Sequence, residues 1–114
     1  MTRERWRIRL SAEAERDFEQ ILETTLENFG ASRLEIYRVT LIEALAALEA
    51  GPNVPGSKAR DEIAPHLRTL HVARKGRRGR HLILYRAAPE NFIEVSRILH
   101  EVMDLARHLP QELE

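Results

Sequence analysis

The stretch Trp6-Arg7-Ile8-Arg9-Leu10-Ser11-Ala12-Glu13-Ala14-Glu15-Arg16-Asp17-Phe18 changes its hydrophobic period in the middle, and that change decides how the chain begins to fold. Up to Leu10 the side chains alternate, with Trp6, Ile8 and Leu10 on one face and Arg5, Arg7 and Arg9 on the other, the period of a half-buried strand. The basic outer face marks it as edge-like. Ser11 then offers an N-cap oxygen, and Glu13 and Glu15 sit in the first helical turn, where the dipole favours negative charge. Ala14, Phe18, Ile21, Leu22, Thr25, Leu26 and Phe29 follow at helical spacing until Gly30 supplies a stop.

Outward from this unit, Ser32 and Glu35 read as a capping box ahead of Leu34, Tyr37, Leu41, Leu45 and Leu48, and Gly51-Pro52 ends the second helix. Two helices of about 18 residues, each roughly 27 Å long, joined by so short a link must form an antiparallel hairpin. Residues 51–66 hold three of the five prolines and two of the five glycines, which reads as a connecting loop. Three segments of strand character follow, at residues 67–74, 80–86 and 92–99. Gly76 to Gly79 supplies the first turn between them and Ala87 to Asn91 the second, so they are expected to form an antiparallel meander. The middle segment, with Leu82-Ile83-Leu84-Tyr85, is apolar on both faces and belongs at the centre. Val102, Leu105 and Leu109 mark a short final helix before Pro110.

The expected architecture is therefore α+β: a β-α-α-β-β-β order, the helical hairpin packed on the antiparallel sheet, and a short C-terminal helix. One domain over residues 1–110 is expected, with residues 111–114 fraying. The 114 residues allow a single core, and 43% hydrophobic with 32% charged residues argues against disorder. There is no cysteine, so thiolate metal sites and disulfides are excluded and a cytoplasmic location is expected. No apolar run approaches the roughly 18 residues of a membrane span.

The net charge of zero hides an asymmetry. Residues 1–65 carry nine basic and twelve acidic side chains, residues 66–114 nine basic and six acidic. Between His66 and Pro89 stand Arg68, Arg74, Lys75, Arg77, Arg78, Arg80 and Arg86 with no acid among them, a local positive field that an acidic partner complements. No aromatic residue interleaves with the Arg74–Arg80 run, so sequence-specific nucleic-acid binding is not expected. On the second helix, Ile36, Val39, Ile42 and Ala46 form an apolar arc beside the main one, which suits either a deeply buried helix or a groove for a partner's amphipathic helix.

Leu10-Ser11-Ala12-Glu13-Ala14-Glu15-Arg16-Asp17, Leu67-Arg68-Thr69-Leu70, Leu82-Ile83-Leu84-Tyr85-Arg86 and Ile98-Leu99-His100-Glu101-Val102-Met103-Asp104, taken in order, resemble the ParE/RelE toxin superfamily and its ParE branch in particular. The resemblance spans nearly the whole chain. It implies the toxin of a type II toxin–antitoxin pair, of the kind that stabilises plasmids or chromosomes, arresting growth when freed and held in a hetero-oligomer by a ParD-like antitoxin. ParE-like members act on DNA gyrase by binding, stalling it with broken DNA. RelE-like members instead cut messenger RNA in the ribosomal A site without a metal.

For the target, the expected contacts are Arg68, Arg86, Arg97, His100, Met103 and Asp104; for the antitoxin they are Ile36, Val39, Ile42, Arg77 and Arg78. No catalytic residue is assigned on the ParE reading. If the chain were a ribonuclease, Arg68, Arg86 and His100 are the side chains of the right type, cations for the phosphate and an acid or base. The tail departs from the RelE-like pattern in lacking a tyrosine. A relative that only binds its partner is a further alternative. Each candidate also has a bland role: Arg68 in an ion pair, Arg86 paired with a helix carboxylate such as Glu19 or Glu23, His100 as a hydrogen-bonded residue at a junction. No cofactor is expected, and the five histidines show no ligand spacing for a metal.

Overall fold

Alternation along β1 (Arg7–Leu10) turns Ile8 and Leu10 inward and leaves Arg7 and Arg9 exposed, and both guanidinium groups lie over the Phe92 ring, at 4.5 and 4.3 Å from its centroid. The computed structural model describes residues 5–103. Ser11 caps α1 (Ala12–Phe29) by accepting the Ala14 N–H at 3.0 Å. Its own hydroxyl donates to the Ser96 carbonyl at 2.9 Å, so the helix start is tied to the last strand.

Gly30 is the whole link between the helices: it ends α1 and directly precedes α2 (Ala31–Ala47) at φ 89°, ψ 175°, a conformation that a side chain does not tolerate. The expected capping box does not form. The helix already begins at Ala31, which puts Ser32 inside the first turn, and Glu35 instead holds Arg38 Nε at 2.7 Å. A 3-10 turn, Leu48–Ala50, closes the helical segment.

The loop expected over residues 51–66 contains a short strand, β2 (Ser57–Ala59), antiparallel to β3 (Arg68–His71). Three residues are too few to show a period. β4 (His81–Ala88) and β5 (Phe92–His100) complete a five-stranded sheet of order β1-β5-β4-β3-β2. The meander β3–β4–β5 is antiparallel, as expected, and β4 is central. The first strand joins it parallel, with Ile8 opposite Ile93 and Leu10 opposite Val95, so the complete sheet is mixed. The second turn is tighter than expected, since β4 runs on to Ala88 and Glu90 and Asn91 turn the chain at φ 64° and 59°.

Ala14, Leu41, Ala44 and Leu48 pack from the helices onto Leu70, Val72, Ile83, Tyr85, Ile93, Val95 and Ile98 of the sheet side. Each large side chain so buried contributes about 1.5–3 kcal/mol. The Tyr85 hydroxyl keeps its hydrogen bond by donating to the Pro52 carbonyl at 2.6 Å. Between Leu84 and Tyr85 the register with β5 slips by one, leaving Ser96 as the extra residue, which is why Val95 and Ile98 both face the helices. On the opposite face Leu84 and Leu99 are covered by Ala64 and Leu67.

Glu101 to Met103 form a turn after β5. The expected final helix falls on Leu105 and Leu109, and those residues, Asp104 and the boundary at residue 110 lie outside the described residues. No helix of the described residues is long and apolar enough to cross a membrane.

Candidate functional site

Helical spacing brings Arg33, Ile36, Tyr37 and Thr40 onto one face of α2 and Asp17, Gln20, Ile21 and Thr24 onto one face of α1. These faces, the 76–81 segment and the end of β5 enclose an open groove of about 940 Å³. Its second wall is the basic hairpin between β3 and β4, and Tyr37 holds that wall in place. The Tyr37 oxygen accepts the Arg80 N–H at 3.0 Å and lies 2.6 Å from His81 Nδ1. Arg77 Nε adds a bond to Glu43 on α2 at 2.9 Å. Gly79 makes this approach feasible, because a Cβ there would come within 2.5 Å of Val72 Cγ2 and 3.1 Å of the Tyr37 oxygen.

At the α1 side of the groove, Arg97 grips the Asp17 carboxylate with two bonds, Nε to Oδ2 at 2.7 Å and Nη2 to Oδ1 at 2.9 Å. The same carboxylate accepts the Ile98 N–H at 2.9 Å. The bidentate geometry, with Glu13 nearby at 4.0 Å, holds the Arg97 guanidinium more firmly protonated than an isolated arginine.

At the sheet end, the His81 and His100 rings meet edge to face with centroids 5.3 Å apart. Burial, followed by the neighbouring His100 and His71 imidazoles, lowers the His81 pKa to about 4. Neutral His81 is therefore the resident form at ordinary pH. Burial likewise pushes the Tyr37 phenol above its usual value. His71 Nε2 binds Glu101 Oε2 at 2.6 Å, and that bond holds the Glu101 carboxyl below the usual range.

Among the described residues the groove is apolar at Ile21, Phe29, Ile36 and Met103 and carries five arginines, at 33, 77, 78, 80 and 97, against one acid, Asp17. Phe29 is 70% exposed and Ile36 56% exposed, so water wets a substantial apolar surface. Arg33 and Arg78 have no side-chain partner among the described residues, which leaves their charge unspent.

Of the residues expected at a functional site, six gather here: Ile36, Arg77, Arg78, Arg97, His100 and Met103. The structure thus joins residues assigned separately to antitoxin and target. Val39 and Ile42 do not line the groove; they lie on the outer side of α2, where Ile42 is 43% exposed. Arg68 is spent on the loop, donating to the Pro52 carbonyl at 2.9 Å and to the Ser57 hydroxyl at 2.8 Å, so in place of the ion pair considered for it stand two hydrogen bonds to neutral acceptors.

Arg86 reaches neither Glu19 nor Glu23, because it sits opposite Glu94 on the helix-free face; among the described residues it has no partner. The carboxylate pairing considered for it belongs to Arg97 instead. His100 accepts the Val102 N–H at 3.3 Å, a bond that orders the turn after β5. Arg86 lies five residues along β4 from His81, the cross-strand partner of His100, about 16 Å of strand. Arg68, Arg86 and His100 therefore do not converge on one phosphate.

Among the groove residues not singled out from the sequence are Tyr37, His81 and Asp17. Tyr37 counted only as an apolar position of the second helix, and Asp17 only as part of a helix start. Their partners are 44 and 80 residues away, beyond any local pattern. Among the described residues no group of three or more His, Cys, Asp or Glu side chains is arranged to hold a metal ion.

Residues 8–105 match the family model described as ParE toxin of type II toxin-antitoxin system, parDE. The chain is 34% identical over 103 residues to Toxin ParE1 of two Mycobacterium tuberculosis strains, a match covering 90% of this chain and 97% of each relative. Among solved structures it is similar to a chain of the chromosomal ParDE system from P. aeruginosa, with a TM-score of 0.68, 17% identity, and coverage of 86% of this chain and 98% of that one. A chain of the RelBE2 toxin–antitoxin complex from Mycobacterium tuberculosis is similar at a TM-score of 0.56 and 21% identity, covering 84% of this chain and 98% of that one. These two structures share the fold of two helices on a mixed sheet.

Proposed function

Since the chain belongs to the ParE toxin family of type II toxin–antitoxin systems, we propose that its groove is the seat of a ParD-like antitoxin and that the freed protein arrests growth by inhibiting DNA gyrase. The observation that carries the first part is the wetted apolar floor at Ile21, Phe29, Ile36 and Met103 beneath an arginine rim. An amphipathic helix with an acidic flank complements it: the apolar face covers the floor and the acids meet Arg33 and Arg78. The gyrase target rests on the ParE-branch membership, and the chain would act by binding, with no catalytic residue of its own.

The groove reading supports neutralisation by occupancy. Arg97, His100 and Met103, expected to serve the target, line the same space as Ile36, Arg77 and Arg78. A segment filling the groove would cover all six at once.

The partner is tested with the protein encoded beside this gene. Ile36→Glu should abolish its binding, whereas Ile42→Glu, outside the groove, should leave binding within about threefold of wild type. Equal binding by both variants would sink the groove as the antitoxin site. The target is tested separately by gyrase supercoiling assays and by ribosome A-site cleavage assays on the purified toxin. Loss of supercoiling without messenger cleavage is expected; cleavage with intact supercoiling would replace the gyrase reading by the ribonuclease one, and neither would mark a relative that only binds its partner.

A further inference from the structure

Among the described residues His81 is tied down at one of its two ring nitrogens. In the tautomer that gives the Tyr37 hydroxyl proton an acceptor, the Tyr37 oxygen accepts the Arg80 N–H and donates to Nδ1, and the neutral ring carries its proton on Nε2. Among the described residues Nε2 has no partner, and no buried side-chain nitrogen or oxygen there is left unbonded. Nε2 is therefore open, and the space that the ring lines is the groove. His100 repeats the arrangement: its Nδ1 accepts the Val102 N–H, which leaves the proton on Nε2, and its ring lines the same groove.

Two N–H donors thus line one groove, their rings edge to face with centroids 5.3 Å apart, and among the described residues the one acid lining that groove is Asp17. Among the described residues the acids near His81 already have partners, and so does the Tyr37 oxygen. Tyr37 on α2 is bound at its oxygen, Asp17 on α1 is held by Arg97, and Glu101 is held by His71 at 2.6 Å with Arg80 at 3.6 Å. His71 from β3 and His100 from β5 oppose a positive charge at His81. A neutral amide could bond two N–H donors, but the unspent charges of Arg33 and Arg78 on the same groove favour an anionic acceptor.

We propose that His81 and His100 form a receptor for one carboxylate, from an Asp or Glu side chain of the antitoxin segment, an inference that rests on the groove being the antitoxin site. A carboxylate seated there favours the imidazolium form of His81: the added proton sits on Nδ1 and is donated to the Tyr37 oxygen, whose hydroxyl turns its own proton away, so binding takes up one proton and tightens as the pH falls below neutral. The interaction also sets specificity, since a partner lacking the acid leaves both donors unmet.

The test is calorimetric titration of the toxin with the purified antitoxin encoded beside it, at several pH values and in two buffers of different ionisation enthalpy. Wild type should take up protons near pH 6. His100→Leu, which removes one donor, should weaken binding about tenfold. His81→Gln, which still accepts the Tyr37 proton but cannot titrate, should flatten the pH dependence; thermal melts of each variant confirm that it folds. If both variants bind as wild type does and no proton is taken up, while Ile36→Glu fails to bind, the carboxylate receptor is overturned and the groove reading stands. If Ile36→Glu binds normally, the groove reading falls and takes the receptor with it.

Discussion

Asp17 shows how much one carboxylate can hold together. It accepts both bonds from Arg97 and the Ile98 N–H, with its side chain only 15% exposed and that of Arg97 18% exposed. Asp17→Asn would turn an amide donor towards the guanidinium and is expected to cost about 2–3 kcal/mol in a urea unfolding experiment. Glu49→Gln provides the contrast, because its Arg5 partner is 82% exposed; about 0.5 kcal/mol or less is expected there. His81 makes stability depend on pH. Its folded pKa of about 4 lies below the unfolded 6.5, so between those values the unfolded chain binds more protons. Stability is therefore full above about pH 6.5 and falls as the pH drops towards 4, by about 2 kcal/mol after allowing for solvent screening. A melting series from pH 7 to pH 4 checks this, and His81→Gln should remove most of that slope.

At the scale of elements, the helical hairpin depends on Gly30. With φ at 89° and ψ at 175°, the residue occupies a region essentially restricted to glycine, and it alone separates Phe29 from Ala31. Space is not the obstacle, since a Cβ there would meet nothing within 4 Å. Gly30→Ala therefore isolates backbone strain and is expected to cost about 1–3 kcal/mol, read as a lowered melting temperature with unchanged helix content in the folded state. The stop at Gly30 was visible in the sequence because a glycine ending a periodic run is a local signal. The start of α2 was misplaced for the same local reason: Ser32 and Glu35 have the right spacing for a cap, but the chain is already helical at Ala31. β2 was not visible, because three residues between prolines and glycines show no alternation and pair only through β3. Both strand-rich runs flanking the basic turn were legible, since Leu82 to Tyr85 must be covered on two faces.

For the whole molecule, the long-range pairings lie beyond sequence patterns and also create the groove. β1 pairs parallel with β5, Arg7 opposite Phe92, and nothing in the alternation of either strand specifies that direction. The arginines were legible as a charged run, but not their rim position, which depends on Tyr37 and Glu43 drawing the hairpin along α2. That placement gives a protein of zero net charge a concentrated positive face. Association with an acidic partner segment should then be steered by Arg33 and Arg78, whereas dissociation should depend on the apolar floor. Raising salt from about 0.05 to about 0.5 M should slow association with the antitoxin severalfold and change dissociation little. Arg33→Glu combined with Arg78→Glu should slow association at low salt by about tenfold or more, with the gap narrowing at high salt as the field is screened. Both side chains are exposed and lack side-chain partners among the described residues, so the double variant should fold with wild-type stability. Stopped-flow association rates that ignored both the salt and the charge reversal would mean that the rim does not face the incoming partner, and the apolar floor alone would have to account for its capture.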